Sequence, residues 1–269
     1  MVSTDSPIGV YDSGLGGLTV LRALRMRLPH ESLIYVGDTA RVPYGPKSPD
    51  TVRRYAHEIA DWLAAQQVKA IVVACNTATA HALDDLRARH DIPVIGVIEP
   101  GARAAVAAQH RGPIGVIGTA GTIASGAYER AIHALDPRAV VRVAACPLLV
   151  PLVEEGWVDH DATRLIVRDY LAPLRADGIS ALVLGCTHYP LLAPVLAREL
   201  GPSVNLIDSA DETARETASR LSRAQVLRVP STHPGRVRFI ASDDPARFLA
   251  LGRRFFGDEM AHVDQLTFS

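Results

Sequence analysis

Two apolar segments that each end in a cysteine constrain the fold of this chain more than any other feature. The first reads AIVVACNTATA over residues 70–80, and the second reads ALVLGCTHYPL over residues 181–191. Short aliphatic runs bounded by small polar residues are typical of buried parallel strands. Each cysteine then sits where a strand gives way to a loop and a helix, which is where open α/β sheets bind ligands. Cys75 and Cys186 are therefore predicted to be equivalent groups that face one substrate.

Other segments of the two halves correspond in the same order. IGVYDSGLGGLTVLRAL, from Ile8, resembles IGVIGTAGTIASGAYERAI, from Ile114, and VIEPGA in the first half resembles LIDSAD in the second. The cysteine segments lie between these two pairs. Three correspondences in one order predict an α/β protein of two similarly built, pseudo-symmetric domains with mainly parallel sheets.

The remaining elements define the expected domain limits. Helices are predicted over about 51–66, 78–88, 212–223 and 245–256, and a last short strand near HVDQLTF. The loop TARVPYGPKSPD follows the strand that ends near Asp38, and its three prolines and one glycine predict irregular structure. The C-terminal segment has no counterpart in the second half. It is expected to return to the first domain, which gives 1–98 with 210–269 for the first domain and 99–209 for the second.

Charge and hydropathy exclude several classes of function. The chain has 28 basic and 29 acidic residues without a run of one sign, so a surface for nucleic acid or anionic membrane is not expected. The sequence shows neither a secretory leader nor an apolar run of membrane-spanning length. These features predict a cytoplasmic protein with a small-molecule partner. An odd number of cysteines, three, then indicates free thiols rather than a disulfide framework.

The two repeated thiols have candidate proton partners. At a helix N-terminus, the pKa of a cysteine falls by one or more units from about 8.5. Cys75 and Cys186 are both predicted to lie at such a position. His188 lies two residues after Cys186, and Asp12, at the end of a neighbouring strand, can assist Cys75. The alternative is that both are buried structural thiols. Cys146, among the apolar residues of VAACPLLV, is predicted to be a core residue.

Two cofactor chemistries have weak support. Zinc prefers side chains of the kinds found at Cys75, His81, Cys186 and His188. The chain lacks the paired spacings that normally accompany a zinc site, so no metal is expected. Pyridoxal phosphate requires a lysine for its Schiff base, and neither Lys47 nor Lys69 lies in a recognisable motif.

A dinucleotide site is the strongest rival interpretation. Gly14, Gly16 and Thr19 approximate the G-x-G-x-x-G pattern, and Asp38 ends the next strand. Against this, Thr19 replaces the third glycine, and Asp12 would place a carboxylate near the pyrophosphate.

The polar residues near the thiols suggest a different ligand. Side-chain and backbone donors suited to a carboxylate are expected at Asn76, Thr77, Thr119, Thr122 and Thr187. Some of these residues could instead be ordinary helix caps. Asp12 could face an ammonium group. A carboxylate together with an ammonium group describes an amino acid.

Six motifs along the chain resemble those of the cofactor-independent glutamate racemases. They are YDSGLGGLTV, YVGDTARVPYG, ACNTATA, GTAGTI, PLVEEG and GCTHYPLL. The resemblance implies that Cys75 and Cys186 are the two catalytic bases, that Asp12 and His188 assist them, and that Glu154 is a further acidic residue of the active site. It further implies that substrate is bound by Asp12, Ser13, Pro43, Tyr44, Gly45, Asn76, Thr77, Thr187 and His188, with Thr119 and Thr122 lining the same pocket.

The same resemblance implies a fold and a physiological role. Members of the family have two α/β domains with the active site in the cleft between them, use no cofactor, and are usually homodimers. Their product, D-glutamate, enters peptidoglycan, and some members bind a DNA topoisomerase as a second role. Two alternatives stay open, namely a racemase of aspartate or another acidic amino acid, and a non-catalytic amino-acid-binding or regulatory protein.

Overall fold

The computed structural model of the protein describes residues 3–109 and 112–268. Its strands are β1 (Ile8–Asp12), β2 (Leu33–Gly37), β3 (Ala70–Val73), β4 (Val94–Gly96), β5 (Ile114–Gly118), β6 (Val141–Ala145), β7 (Ala181–Gly185), β8 (Asn205–Ile207), β9 (Val237–Ala241) and β10 (Asp264–Gln265). Its helices are α1 (Leu18–Arg27), α2 (Pro49–Ala65), α3 (Asn76–Arg89), α4 (Ile98–Ala108), α5 (Ala120–Ala124), α6 (Ala127–Leu135), α7 (Leu149–Glu154), α8 (Asp161–Ala176), α9 (Ala193–Leu200), α10 (Ser209–Arg223) and α11 (Pro245–Phe256). Among the described residues, no helix combines the length and the apolar character needed to cross a membrane.

The strands form two parallel sheets with the same internal order. The first sheet has the order β10-β9-β2-β1-β3-β4, and the second has the order β6-β5-β7-β8. The run β2-β1-β3-β4 of the first sheet is thus repeated strand for strand in the second. The central strands also pair in the same way, because Ile8 lies opposite Leu33 and Ala70 while Ile114 lies opposite Val141 and Ala181. The predicted α/β fold with two similar parallel halves is confirmed.

The C-terminal segment adds two strands to the first sheet. Strand β9 pairs in parallel with β2, and β10 pairs with β9. Helix α10, which precedes this segment, packs against α1 of the first half and α4 of the second. The chain therefore crosses from one half to the other along a helix that contacts both. The domain limits of 1–98 with 210–269, and 99–209, stay a prediction.

The central strands are buried because helices cover both faces of each sheet. Every residue of β1, β3, β5 and β7 is buried, as expected for parallel strands. Helix α1 turns Leu18, Leu21 and Leu24 into the core, at the spacing of one helical face. Helix α2 begins earlier than predicted, since Ser48 caps it and Pro49, which was expected in the loop, is its first residue. The carboxyl ends of these buried strands meet where the two halves face each other.

A buried ion pair fixes the segment that returns to the first sheet. The Lys69 ammonium lies 2.5 Å from a Glu31 carboxylate oxygen, and both side chains are almost fully buried. Lys69 also donates hydrogen bonds to the carbonyl oxygens of Thr4 and Val226, and Glu31 accepts one from the Arg228 backbone N–H. The pair thus joins the N-terminal segment to the connection between α10 and β9.

Replacing Lys69 with methionine is expected to lower the free energy of unfolding by about 3–5 kcal/mol, because it leaves the buried Glu31 carboxylate without its partner. Urea denaturation at neutral pH measures the change. Arg89→Met is the matched control, since Arg89 pairs with Asp61 at the surface and such pairs contribute about 1 kcal/mol or less. A Lys69→Met loss no larger than that of the control would contradict the prediction.

Candidate active site

One small cavity lies at the carboxyl ends of the central strands and is lined from both halves. Its wall consists of Ser13, Val42, Pro43, Tyr44, Gly45, Cys75, Asn76, Thr77, Thr119, Val150, Cys186, Thr187 and His188. The two thiols therefore reach the same space, one from the end of β3 and one from the end of β7. The cavity volume is about 20 Å³. A water molecule needs roughly 10–15 Å³, so the cavity has room for about one water molecule. The structure is therefore a closed form, in which the two halves meet over the cavity.

Cys75 is the N-cap of α3, and its thiol is protonated at neutral pH. The Ala78 backbone N–H donates to its sulfur at 3.5 Å, and the Ser13 hydroxyl lies 3.7 Å from the sulfur. Burial raises the pKa of Cys75 to about 12, the Asp12 charge adds to this rise, and the Ala78 and Ser13 contacts offset only part of it. The lowered pKa expected from the helix N-terminus is therefore wrong for Cys75, because desolvation exceeds the effect of the helix end.

Cys186 has a histidine beside it in place of the expected helix N-terminus. The residues after it form a turn and a short 3₁₀-helix (Tyr189–Leu192), so the prediction that Cys186 lies at the N-terminus of an α-helix is wrong. The His188 Nδ1 atom lies 3.9 Å from the Cys186 sulfur, and the His188 Nε2 atom lies 3.0 Å from a Glu154 oxygen. Burial lowers the pKa of His188, but the contacts with Cys186 and Glu154 outweigh it and raise the pKa to about 10. A charged imidazole therefore stands next to this sulfur.

Asp12 lies behind the cavity wall and joins the two halves. One carboxylate oxygen accepts a hydrogen bond from the Gly14 N–H at 3.0 Å, and the other accepts one from the Thr187 hydroxyl at 3.4 Å. Burial raises the pKa of Asp12, and the charge of His188 and the hydrogen bonds oppose that rise. Asp12 acts on Cys75 through its charge, and its direct contacts orient Thr187 on the opposite wall.

Threonine hydroxyls hold the two halves together beside the thiols. Thr77 lies 2.9 Å from Thr119 and 3.1 Å from Thr122, oxygen to oxygen, and Thr119 caps α5. Thr122 is buried behind the other two and is not on the cavity wall. The Gly121 N–H donates to the Gly45 carbonyl at 2.9 Å, so the loop of the first half also contacts α5 of the second.

The glycine-rich turn after β1 allows close packing against the catalytic candidates. A Cβ atom on Gly16 would lie 2.2 Å from the Thr187 hydroxyl oxygen and 2.5 Å from the His188 Nδ1 atom. A Cβ atom on Gly17 would lie 2.5 Å from the Asp12 Cβ atom. The turn is filled by protein atoms where a pyrophosphate would have to lie. The dinucleotide interpretation therefore has no support in the structure.

Asp38, the acidic residue of that rival interpretation, anchors the proline-containing loop. Its carboxylate accepts hydrogen bonds from the Tyr44 hydroxyl, from Arg41 Nε at 2.7 Å and from the Ser242 hydroxyl at 2.8 Å. Tyr44 and its neighbours Pro43 and Gly45 line the cavity. The returning C-terminal segment, which carries Ser242, thus helps to hold this part of the wall.

The structure adds residues that the sequence analysis does not identify. Val42 and Val150 give the cavity two apolar walls, and the Tyr128 hydroxyl donates to Asn76 at 2.7 Å. Valines in apolar segments carry no signal of a site. Cys146 is fully buried, as predicted, and all three thiols are free. The described residues contain no cluster of three or more histidine, cysteine or acidic side chains that could hold a metal ion.

His188 is expected to make stability depend on pH above neutrality. Its pKa is about 6.5 in an unfolded chain and about 10 in the fold, so the folded state binds the proton more tightly. The resulting stabilisation is complete below pH about 6.5 and is lost as the pH rises to about 10. The difference in unfolding free energy between the wild type and His188→Gln should therefore shrink over this range in urea titrations. A constant difference for His188→Gln would contradict the assignment.

The chain is similar to known proteins in both sequence and fold. Residues 18–217 match the Asp/Glu/Hydantoin racemase family. The glutamate racemase of Geobacter metallireducens is 52% identical over 260 residues, covering 97% of this chain and 96% of that protein. A glutamate racemase isoform of Bacillus anthracis superposes with a TM-score of 0.93 at 43% identity, covering 98% of each chain. The Francisella tularensis glutamate racemase, crystallised with D-glutamate, gives 0.92 at 38% identity and covers 99% of each chain. The chain therefore belongs to the Asp/Glu/hydantoin racemase family of isomerases.

Proposed function

We propose that this protein is a glutamate racemase that moves the α-proton of its substrate between two thiols without a cofactor. The observation that carries the proposal is the position of Cys75 and Cys186. They follow corresponding strands of two pseudo-symmetric halves and line one cavity. The relatives named glutamate racemase, similar over nearly the whole chain, support glutamate as the substrate.

Two thiols on opposite faces suit a reaction whose product is the mirror image of its substrate. One sulfur removes the α-proton from one face, and the other returns a proton to the opposite face. The α-proton is far less acidic than a thiol, so the site has to stabilise the carbanion. Donors on the cavity wall, such as Asn76, Thr77 and Thr187, can bind the substrate carboxylates in the roles that the resemblance implies. A preorganised donor of this kind contributes roughly 3–4 kcal/mol to transition-state stabilisation.

The neighbours of each thiol have separate roles in this proposal. His188 carries a positive charge beside Cys186, held in place by Glu154, and stabilises negative charge that develops on that sulfur. Asp12 lies near Cys75 and orients Thr187, which makes it the assisting residue of the other half. Since Cys75 is a thiol in the closed form, it is ready to donate a proton when Cys186 removes one.

Substrate entry requires the two halves to separate. A cavity of about 20 Å³ cannot hold glutamate, so the Thr77 to Thr119, Gly121 to Gly45 and Thr187 to Asp12 contacts have to open. Closure over the bound amino acid would then exclude water and strengthen the electrostatic interactions that stabilise the carbanion. The proposal includes a physiological role, in which the protein acts as a homodimer in the cytoplasm and supplies D-glutamate for peptidoglycan.

Circular dichroism with purified protein tests the proposal. The ellipticity of L-glutamate and the opposite ellipticity of D-glutamate should both decay to a comparable final value. The ellipticity of L-aspartate should change slowly or not at all. Proton NMR in D₂O should show deuterium entering the α-position. Faster conversion of aspartate would indicate a racemase of that amino acid. Binding of glutamate without deuterium exchange would indicate a non-catalytic amino-acid-binding protein.

A further inference from the structure

The amide oxygen of Asn76 has a hydrogen-bond partner among the described residues, and its amide nitrogen has none. Its side chain is 3% exposed, its Oδ1 atom accepts a hydrogen bond from the Tyr128 hydroxyl at 2.7 Å, and its Nδ2 atom is buried without a partner. Asn76 also lines the cavity between the thiols. A buried amide nitrogen without a partner costs free energy, so such an atom calls for a ligand.

Tyr128 is held firmly in the position from which it reaches Asn76. A Cβ atom on Gly185 would lie 3.0 Å from the Tyr128 ring, and one on Gly101 would lie 3.3 Å from its hydroxyl oxygen. A side chain at either position would press on the ring or the hydroxyl. The side chain is 2% exposed. The tyrosine is therefore packed against the backbone of β7 and of α4.

The Tyr128 hydroxyl is a proton donor at every pH of interest. Burial raises its pKa, and the charges of Asp208 and Cys186 raise it further. The tyrosine therefore stays protonated and donates its hydrogen bond to Asn76.

We propose that Tyr128 is a positioning residue for catalysis, which fixes the Asn76 amide so that its Nδ2 atom donates to a carboxylate of the bound amino acid. The inference rests on the proposed racemase function. An asparagine amide can rotate by half a turn and present oxygen instead of nitrogen. Oxygen facing a carboxylate would repel it, and the hydrogen bond that Tyr128 donates to Oδ1 stabilises the orientation in which the nitrogen is free for the carboxylate.

The hydrogen bond also links the orientation of the donor to closure. Tyr128 belongs to α6 in the second half, whereas Asn76 belongs to α3 in the first half. Separation of the halves breaks the contact and lets the amide rotate, and closure restores the donor. The negative charge of the substrate carboxylate grows as the α-proton leaves, so the oriented donor should affect kcat as well as KM.

A double-mutant cycle tests the proposal in the intact protein. Tyr128→Phe keeps the ring and removes the hydroxyl, and should lower kcat/KM for glutamate about tenfold. Asn76→Ala should cause an equal or larger loss, and the double variant should be no worse than Asn76→Ala alone. The affinity for D-glutamate, measured by calorimetry, should fall in Tyr128→Phe. Tyr189→Phe is the control, because its buried hydroxyl donates to the Cys146 carbonyl at 2.8 Å and not to Asn76. It should lose stability without a change in affinity.

Each outcome decides the assignment. Losses that add in the double variant, with wild-type racemisation normal, would show that Tyr128 does not act through Asn76 and would leave the racemase function standing. Unchanged kcat/KM and affinity in Tyr128→Phe would likewise overturn the inference alone. A wild-type protein that neither binds nor racemises glutamate would overturn the proposed function, and with it the carboxylate on which Asn76 would act.

Discussion

Replacement of Cys75 by serine, or of Cys186 by serine, is expected to lower racemisation of glutamate by about 10²–10⁴-fold, since each variant lacks one of two proton-transfer groups. A serine hydroxyl is a much weaker acid than a thiol, so it neither donates a proton as readily nor ionises to act as a base near neutral pH. Because the substrate has to lose a proton on one face and gain one on the other, either loss stops the complete reaction in both directions. Circular dichroism of both enantiomers measures the rates.

Cys146→Ser is the matched control for these two variants. Its thiol is also free and buried, and burial, with the charge of Cys186, raises its pKa to about 12, but it is not among the residues that line the cavity. Its rate should equal that of the wild type. Near-normal racemisation by both Cys75→Ser and Cys186→Ser would rule out the two-thiol mechanism.

Elimination from 3-chloroglutamate separates the two thiols. Loss of HCl needs one base, which removes the α-proton while chloride leaves and a carbon–carbon double bond forms, and no second proton has to be delivered. Each serine variant should therefore keep elimination from one enantiomer and lose it from the other, and the two variants should show opposite preferences. The enantiomer that fails in a given variant identifies the face on which the missing thiol acts.

Much of this arrangement follows from local sequence. Strands β3 and β7 are short aliphatic runs, and both thiols follow them in the sequence, so their place at the sheet edge could be predicted. The repeat of β1 and β3 in β5 and β7 could be found in the same way. Helix starts were less accurate. Helix α10 begins at Ser209, three residues before the predicted position, because Asp208 caps it.

Other features depend on contacts that a single segment does not reveal. Strand β6 was not predicted because it lies at the edge of its sheet, is partly exposed, has Arg142 as its second residue, and lacks a long apolar run. The protonated state of Cys75 follows from burial by the opposite half, which outweighs the local helix end. Tyr128 and Asn76 lie 52 residues apart and in different halves. Their contact exists only in the closed fold.

Unequal neighbours make the two proton transfers differ, and this difference can be measured. His188→Gln should lower kcat/KM by about 10²-fold, because the positive charge beside Cys186 is lost. Since enantiomers have equal free energies, kcat/KM must fall equally in the two directions. The asymmetry therefore has to be sought in isotope effects.

In His188→Gln, proton transfer at Cys186 becomes the slowest step. The enantiomer whose α-proton Cys186 removes should then show a large isotope effect when deuterated at that carbon, and the other enantiomer should show a small one, because its own proton leaves to Cys75 before the slow step. The elimination experiment independently identifies the enantiomer whose α-proton Cys186 removes. Glu154→Gln keeps a hydrogen-bond acceptor for His188 and should shift the isotope effects in the same direction by less. Equal isotope effects for the two enantiomers in His188→Gln would mean that His188 does not act on Cys186 alone, and the assignment of one partner to each thiol would be wrong.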